Sequence, residues 1–495
     1  MQLYICDVIC GGGKTQAAIN MINKNPNARY MYISPFLAQL DRVQGACNGM
    51  QQPRGGERES KIPDLHNILE SGQSVAITHE LFKRLDDTAL THISQQGYVL
   101  ICDEAINPFD TVDMINTYDV AFAFTSGLLE CDTITGQVQR GERGKAYKGD
   151  LYKPLVELVD KGNVYTAITN NKTAARPSNT LITMLDFKLF ETFQSVYVLT
   201  YMYALQPLDL YFRIHAPEVK PHYISTKPTS AALNPHTPLL DVVKALANAH
   251  EYEFVDTPDN KPEDKAIWKY GELIKLYTPT RTLCPKGKNN KPHKYTYSKT
   301  WYDHFVTASS APAAEVRQSL RRFTEQPDVA AALRAARERG DAHKTALDYL
   351  VATTYNAHVA AIRGDISPKH FIPCNTKATN DYSECVAVAY MVNMHLPPEI
   401  INYLHYRLKD QFDTDELTTG AINETFALTE VIQFVYRSAV RNNKAVYVFI
   451  PSTRVRTLFE NWIAAHTDKP EREQAAERRE CPQYPRIVVD DDLPF

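Results

Sequence analysis

Two short runs of this chain carry the residues best suited to handle a phosphate chain. The first is Cys10-Gly11-Gly12-Gly13-Lys14-Thr15, which follows an apolar stretch and opens a helical pattern. Glycines here let successive backbone N–H groups turn inward as an anion cradle. The N-terminus of the following helix adds partial positive charge. In that setting Lys14 would reach the β- and γ-phosphates and the Thr15 hydroxyl would hold Mg²⁺. The full G-x-x-x-x-G-K-[ST] pattern is not met, because Val8 stands where its first glycine belongs. The shorter G-x-G-K-T is met by Gly11, Gly13, Lys14 and Thr15, with Gly12 between the glycines.

The second run is Leu100-Ile101-Cys102-Asp103-Glu104-Ala105, an apolar strand ending in two carboxylates. Ligands gather at strand ends of parallel sheets. Asp103 fits a carboxylate on the Mg²⁺ side, and Glu104 fits a base that orients the attacking water. Taken singly, each run also reads as a plain strand-to-helix turn or a solvated acidic pair. Together they point to ATP with Mg²⁺.

These residues need elements to position them. Leu3–Cys6, Tyr30–Ile33, Ser74–Ile77, Tyr98–Cys102 and Val196–Leu199 read as strands, and helical patterns begin near Thr15, Leu37 and Glu80. Strands alternating with helices imply a parallel sheet with right-handed crossovers. Residues 1–215 therefore form the first α/β lobe of this reading, and a Pro-rich stretch at 216–238 reads as a linker. A second α/β lobe follows over 239–466, with an insertion at about 285–350. It closes on the strand Ala445–Ile450 and the helix Val455–Ala465. Residues 467–495 are charged and Pro-containing, as in a flexible tail.

The chain has 495 residues, 44% hydrophobic and 23% charged, which excludes wholesale disorder. A net charge of −4 gives no whole-chain basic field, so any nucleic-acid groove must be a local strip. The nine cysteines show no C-x-x-C pair and no zinc spacing, which reads as free thiols in a reducing compartment. No apolar run approaches the ~18 residues of a membrane span, and no leader pattern opens the sequence. The expectation is a soluble cytoplasmic protein without membrane partners.

With these runs in place, the chain resembles superfamily 2 helicases of the DEAD/DEAH-like type, and within them bacteriophage-encoded members, from residue 3 to about 465. The resemblance implies two RecA-like lobes with ATP between them, single-stranded DNA as partner with RNA left open, and the host bacterial cytoplasm as location. Ser34-Pro35-Phe36-Leu37-Ala38-Gln39 and Thr78-His79-Glu80-Leu81-Phe82 look like the family's nucleic-acid-contacting motifs, through Ser34, Pro35, Thr78 and His79. Leu199-Thr200-Tyr201 stands where a coupling motif belongs, without the usual Ser/Thr-Ala-Thr. Pro373–Asn380 resembles the motif V region, and the run from Gln433 through Arg437 to Arg441 resembles motif VI. Gln433 would then contact the nucleotide. Arg437 and Arg441, four apart, would share a helix face and aim two guanidinium groups at a γ-phosphate. No adenine-reading glutamine precedes the first strand, which leaves base selectivity open.

Lys294-Tyr295-Thr296-Tyr297-Ser298-Lys299-Thr300-Trp301-Tyr302 interleaves cations with aromatics. It reads equally as a single-strand track or as a packed aromatic hairpin. The Arg317–Arg339 stretch reads first as a solvated helix face. The last six residues, Asp490-Asp491-Asp492-Leu493-Pro494-Phe495, resemble the acidic tip of bacterial single-stranded-DNA-binding proteins. A terminal ring and carboxylate suit an apolar pocket with a cation beside it, and the aspartates steer toward a basic rim. The resemblance implies host proteins that read this tip as partners. A competing reading makes the chain a degenerate ATPase adaptor that captures such proteins.

Overall fold

The computed structural model describes residues 1–55, 60–112, 115–171, 174–228, 252–257, 260–261, 273–278, 295–340, 343–374, 381–412, 417–442 and 444–466. The chain is mixed α/β and is organised on two sheets with parallel cores. The first contains β1 (Gln2–Asp7), β2 (Tyr30–Ser34), β3 (Val75–Thr78), β4 (Val99–Asp103), β5 (Ser195–Thr200), β6 (His222–Pro228) and β7 (Tyr252–Asp256). Their spatial order is β7-β6-β1-β5-β4-β2-β3, and every pair is parallel except β6 with β7.

Side-chain alternation shows why these runs are strands. Leu3, Ile5, Met31, Ile33, Leu100 and Val196 feed one core layer. Their neighbours Cys6, Tyr30, Tyr32, Ile101 and Leu199 feed the layer on the other face. Helices α1 (Lys14–Lys24) and α2 (Leu37–Ala46) cover that second face through Ala18, Ile19, Ile22, Leu40 and Val43.

The second sheet, all parallel, runs β8-β11-β10-β9, from β8 (Ile274–Tyr277), β9 (Leu350–Thr353), β10 (Ala387–Tyr390) and β11 (Val446–Phe449). Around it lie α3 (Ala311–Thr324), α4 (Pro327–Arg339), α6 (Thr419–Val435) and α7 (Thr453–Ala465), whereas α5 (Pro398–Arg407) buries Ile400, Ile401, Tyr403 and Leu404 in the core of the first sheet. Among the described residues, no helix is long and apolar enough to cross a membrane.

Several expectations change. The stretch read as a linker supplies β6, and β7, placed beyond it in the second lobe, pairs with β6 in the first sheet. The prolines at 217, 221 and 228 bracket a proline-free run, His222-Tyr223-Ile224-Ser225-Thr226-Lys227, rich in β-branched and aromatic residues. Prolines at its ends break no ladder.

Between β4 and β5 the chain inserts a small body with its own core of Val120, Leu128, Leu129, Val138, Leu155, Val156 and Val159, which the alternation of the lobe does not foretell. Helix α5 docks there. Tyr403 donates to the Thr135 carbonyl (3.0 Å), Tyr406 to that of Thr133 (2.7 Å) and Arg407 to Thr135 (3.1 Å).

The aromatic run at 295–302 is exposed at Tyr295 and turns into the core after it. Tyr297, Trp301 and Tyr302 are buried in the second lobe, which removes them from any strand-stacking role; Lys294 lies outside the described residues. The arginine-rich stretch forms α3 and α4. Val316, Leu320, Phe323, Val329 and Leu333 pack inward while Arg321 pairs with Glu325 on the surface.

Candidate active site

The glycine turn is shaped by close approach. A side chain on Gly12 would bring its Cβ to 2.3 Å from Val8 Cγ1. Gly13 caps α1 at φ 82°, the left-handed region that only glycine enters without strain. Lys14 is 8% exposed, and its ammonium donates back to the carbonyls of Val8 and Ile9, the latter at 3.3 Å. These are neutral acceptors, and a phosphate oxygen is a stronger partner for the same cation.

Two strands over, the carboxylates meet this turn. Thr15 Oγ1 donates to Asp103 Oδ2 at 3.4 Å. Tyr32, from β2, donates its phenol to the same carboxylate oxygen. Gln39, on α2, donates to Thr15 Oγ1 (3.1 Å) and reaches the Tyr32 hydroxyl (3.5 Å). Burial, then the charge of Glu104, pushes the Asp103 carboxyl up to about 6, against the pull of Tyr32, Lys14 and Thr15. Burial likewise raises the Cys10 thiol, with Lys14 opposing.

Glu104 adopts φ 69°, a left-handed backbone that costs a non-glycine residue on the order of 1–2 kcal/mol. Its N–H is held by the Leu199 carbonyl at 3.0 Å. Such strain clusters where side-chain direction matters.

From the second lobe, Arg437 is 3% exposed, with its guanidinium 5.0 Å over the Phe434 ring and two long donations to the Cys374 carbonyl (3.4 and 3.5 Å). Burial lowers its pKa, and the charges of Glu430, Cys10, Cys374 and Glu104 oppose that. The charges of Arg441 and Arg437 are felt at the Cys10 thiol of the glycine turn, both lowering its pKa against the burial that raises it. The two arginines do not share a helix face. Helix α6 stops at Val435, Arg437 follows its C-cap, and Arg441 lies exposed in a 3₁₀ turn at Ala439–Asn442. Tyr436-Arg437-Ser438 is a tight bend, which the four-residue spacing alone does not reveal. Gln433, one turn before Arg437 in α6, is buried.

The segment after β5 bridges the lobes. Asp7 accepts from the backbone N–H groups of Met202 (2.7 Å) and Tyr203 (2.9 Å). Tyr201 packs in the second-lobe core, and its hydroxyl accepts from Trp462 Nε1 at 3.0 Å.

The residues expected at nucleic acid divide. Ser34 is fully buried and His79 nearly so. Thr78 caps the helix His79–Phe82 by accepting from the Leu81 N–H. Pro35 is partly exposed and leads to the exposed Leu37. Residues 375–380 and the tip Asp490–Phe495 lie outside the described residues.

The donor set suits one hard cation with a polyphosphate. Thr15 and Asp103 offer oxygen ligands, few enough for an ion that keeps waters and phosphates in its shell. No cluster of three or more His, Cys, Asp or Glu able to hold a metal occurs among the described residues. The Thr200 hydroxyl, at the end of the strand between β1 and β4, is buried and has no partner among the described residues. Tyr32, Gln39, Thr200 and Asp7 are residues at this site to which sequence reasoning gave no role there. Gln39 lay inside a motif read toward nucleic acid and Thr200 inside the one read as a coupling motif, while Tyr32 and Asp7 lay in none.

Fold and site together define a two-sheet, mainly parallel α/β protein with a glycine-lysine-threonine turn facing a buried Asp103 and the half-buried Glu104 beside it. A family profile described as the YonV C-terminal Rossmann-like domain matches residues 269–463. The chain is similar to the SPbeta prophage-derived uncharacterized protein YonV of Bacillus subtilis (strain 168), 25% identical over 473 residues, 93% of this chain and 98% of that protein. Among solved structures it is similar to an XPD helicase at 9% identity and TM-score 0.44, covering 95% of this chain and 96% of that one. It is also similar to Xpd4 of S. tokodaii at 11% identity and TM-score 0.38, covering 93% and 94%.

Proposed function

We propose that this chain is an ATP-dependent nucleic-acid motor, a helicase or translocase that works on single-stranded DNA with Mg²⁺. The observation that carries this reading is the Thr15–Asp103 contact at 3.4 Å, which joins the glycine turn to the acidic strand end. Bound ATP supplies the phosphoanhydride whose hydrolysis drives the cycle.

In this reading the Gly11–Gly13 backbone and Lys14 bind the phosphates, and Thr15 and Asp103 hold the metal. Tyr32 and Gln39 fix the rotamers of those two ligands. Glu104 orients water and accepts its proton. Arg437 and Arg441 approach from the second lobe and complete the site on closure. Gln433 positions the nucleotide from the same segment. Pro35 and the N-terminal turn of α2 take the nucleic-acid backbone; the burial of Ser34 and His79 argues against direct contact by their side chains. The lobes divide functionally near residues 257–273, after β7.

The prophage origin of the relative supports a phage-encoded protein acting in the host cytoplasm. We also take Asp490–Phe495 to be a docking tip for host proteins that read such tips in replication, recombination or repair; its residue order is the support.

The test is ATP turnover with and without single-stranded DNA, with Lys14→Ala as control. Turnover that single-stranded DNA stimulates and Lys14→Ala abolishes is the expected result. Equal turnover with and without nucleic acid argues against a motor. Deleting Leu493–Phe495 separates the adaptor reading, in which the biological effect disappears while turnover survives.

A further inference from the structure

The order of the first sheet gives the nucleotide site a direction. The glycine turn follows β1, and Asp103 and Glu104 end β4, two strands to one side. At strand spacing that is roughly 10 Å. On the other side of β1 lies the β6–β7 hairpin. A triphosphate gripped by Lys14, with its distal phosphate toward Glu104 and Arg437, must lead its base away from them, toward that hairpin.

The hairpin reaches the turn at that place. Thr226 on β6 donates its hydroxyl to the Gly12 carbonyl at 2.5 Å. The Tyr252 ring on β7 lies against Gly13, where an added Cβ would sit 2.5 to 2.7 Å from Cδ1, Cγ and Cε1. Asn20 of α1 fixes the strand by donating to the Tyr252 carbonyl at 2.8 Å. Tyr252 is only partly buried. The β6–β7 pair thus sets an aromatic ring beside the phosphate cradle.

We propose that Tyr252 is the base-contacting residue of the site, a flat platform on which the nucleobase of a nucleoside triphosphate stacks. This rests on the nucleotide reading above. Stacking uses the π-face that every base has and ignores the hydrogen-bonding edge. The site therefore accepts purine triphosphates with little discrimination between adenine and guanine.

Equilibrium binding to the full chain, measured calorimetrically with Mg²⁺, tests this with ATP, GTP and inorganic tripolyphosphate. Tyr252→Phe keeps the ring, and Tyr252→Leu keeps bulk against Gly13 but loses the flat face. The expected result is that Tyr252→Leu weakens ATP and GTP about tenfold while Tyr252→Phe stays within about twofold of the parent. Tripolyphosphate affinity is the same in all three. Unchanged ATP binding in Tyr252→Leu overturns the proposal. So does an equal loss for ATP and tripolyphosphate, because the ring then only braces the turn. A parent protein that binds neither ATP nor tripolyphosphate overturns the nucleotide reading itself, before any variant is compared.

Discussion

Arg437→Ala separates a group that acts on the nucleotide from one that only packs. The side chain is buried, lies 5.0 Å over the Phe434 ring and makes two long donations to the Cys374 carbonyl. Loss of these contacts should cost about 1–3 kcal/mol of stability. Part of that is returned because a desolvated charge leaves the interior. A packing role ends there. A group that completes the nucleotide site from the second lobe is worth ~10³–10⁵ in turnover. Arg437→Lys should lose most of that as well, because a point charge cannot reproduce the planar fork. The assays are urea unfolding, fluorescent-nucleotide binding and single-turnover hydrolysis. The expected outcome is a modest stability loss, nucleotide affinity close to the parent, and turnover collapsed in both variants. Folded Arg437→Ala that turns over within about tenfold of the parent would remove this residue from the chemistry.

Glu104→Gly should stabilise the fold by about 1 kcal/mol by relieving the left-handed backbone at φ 69°, while hydrolysis is lost; calorimetric melting and turnover read the two effects. Tyr201→Phe removes the acceptor of the buried Trp462 N–H and should cost about 1–3 kcal/mol in urea unfolding. Burial lowers His215 and His395 from 6.5 to about 4; Arg407 adds to this at His215 and Arg454 at His395. Between pH 6.5 and 4 the unfolded chain therefore takes up more protons than the folded one. Stability is fully present above pH 6.5 and falls as pH drops toward 4. After allowance for partial exposure, the loss is on the order of 1–2 kcal/mol for each histidine, and denaturant midpoints at pH 7.5 and pH 5 measure it.

The parts of the fold legible in sequence are those whose cause is local. β1, the glycine turn and α1 form one continuous run, and β2, β4 and β5 are short, largely apolar runs, as strands covered on both faces must be. Position across the sheet is not local. Nothing near Tyr32 says that its phenol meets Asp103, and nothing near Gln39 says that its amide turns back to Thr15. The linker reading failed because prolines were counted while the strand between them was not. The helix through Arg437 and Arg441 failed because α6 ends just before them. Trp301 and Tyr302 show the same limit, since aromatics alternating with cations describe an exposed track and a buried element equally well.

The clasp between α5 and the inserted body carries a mechanical consequence. That body is spliced into the first lobe between β4 and β5, yet Tyr403, Tyr406 and Arg407 tie it to a helix reached only after β10. Ile400, Ile401 and Leu404 of that helix sit in the first core while Val431, Ile432 and Phe434 of α6 sit in the second, so the chain crosses back between the halves, and the Tyr201–Trp462 bond fastens them again. Rocking one half against the other must strain a fastening or drag the insert along.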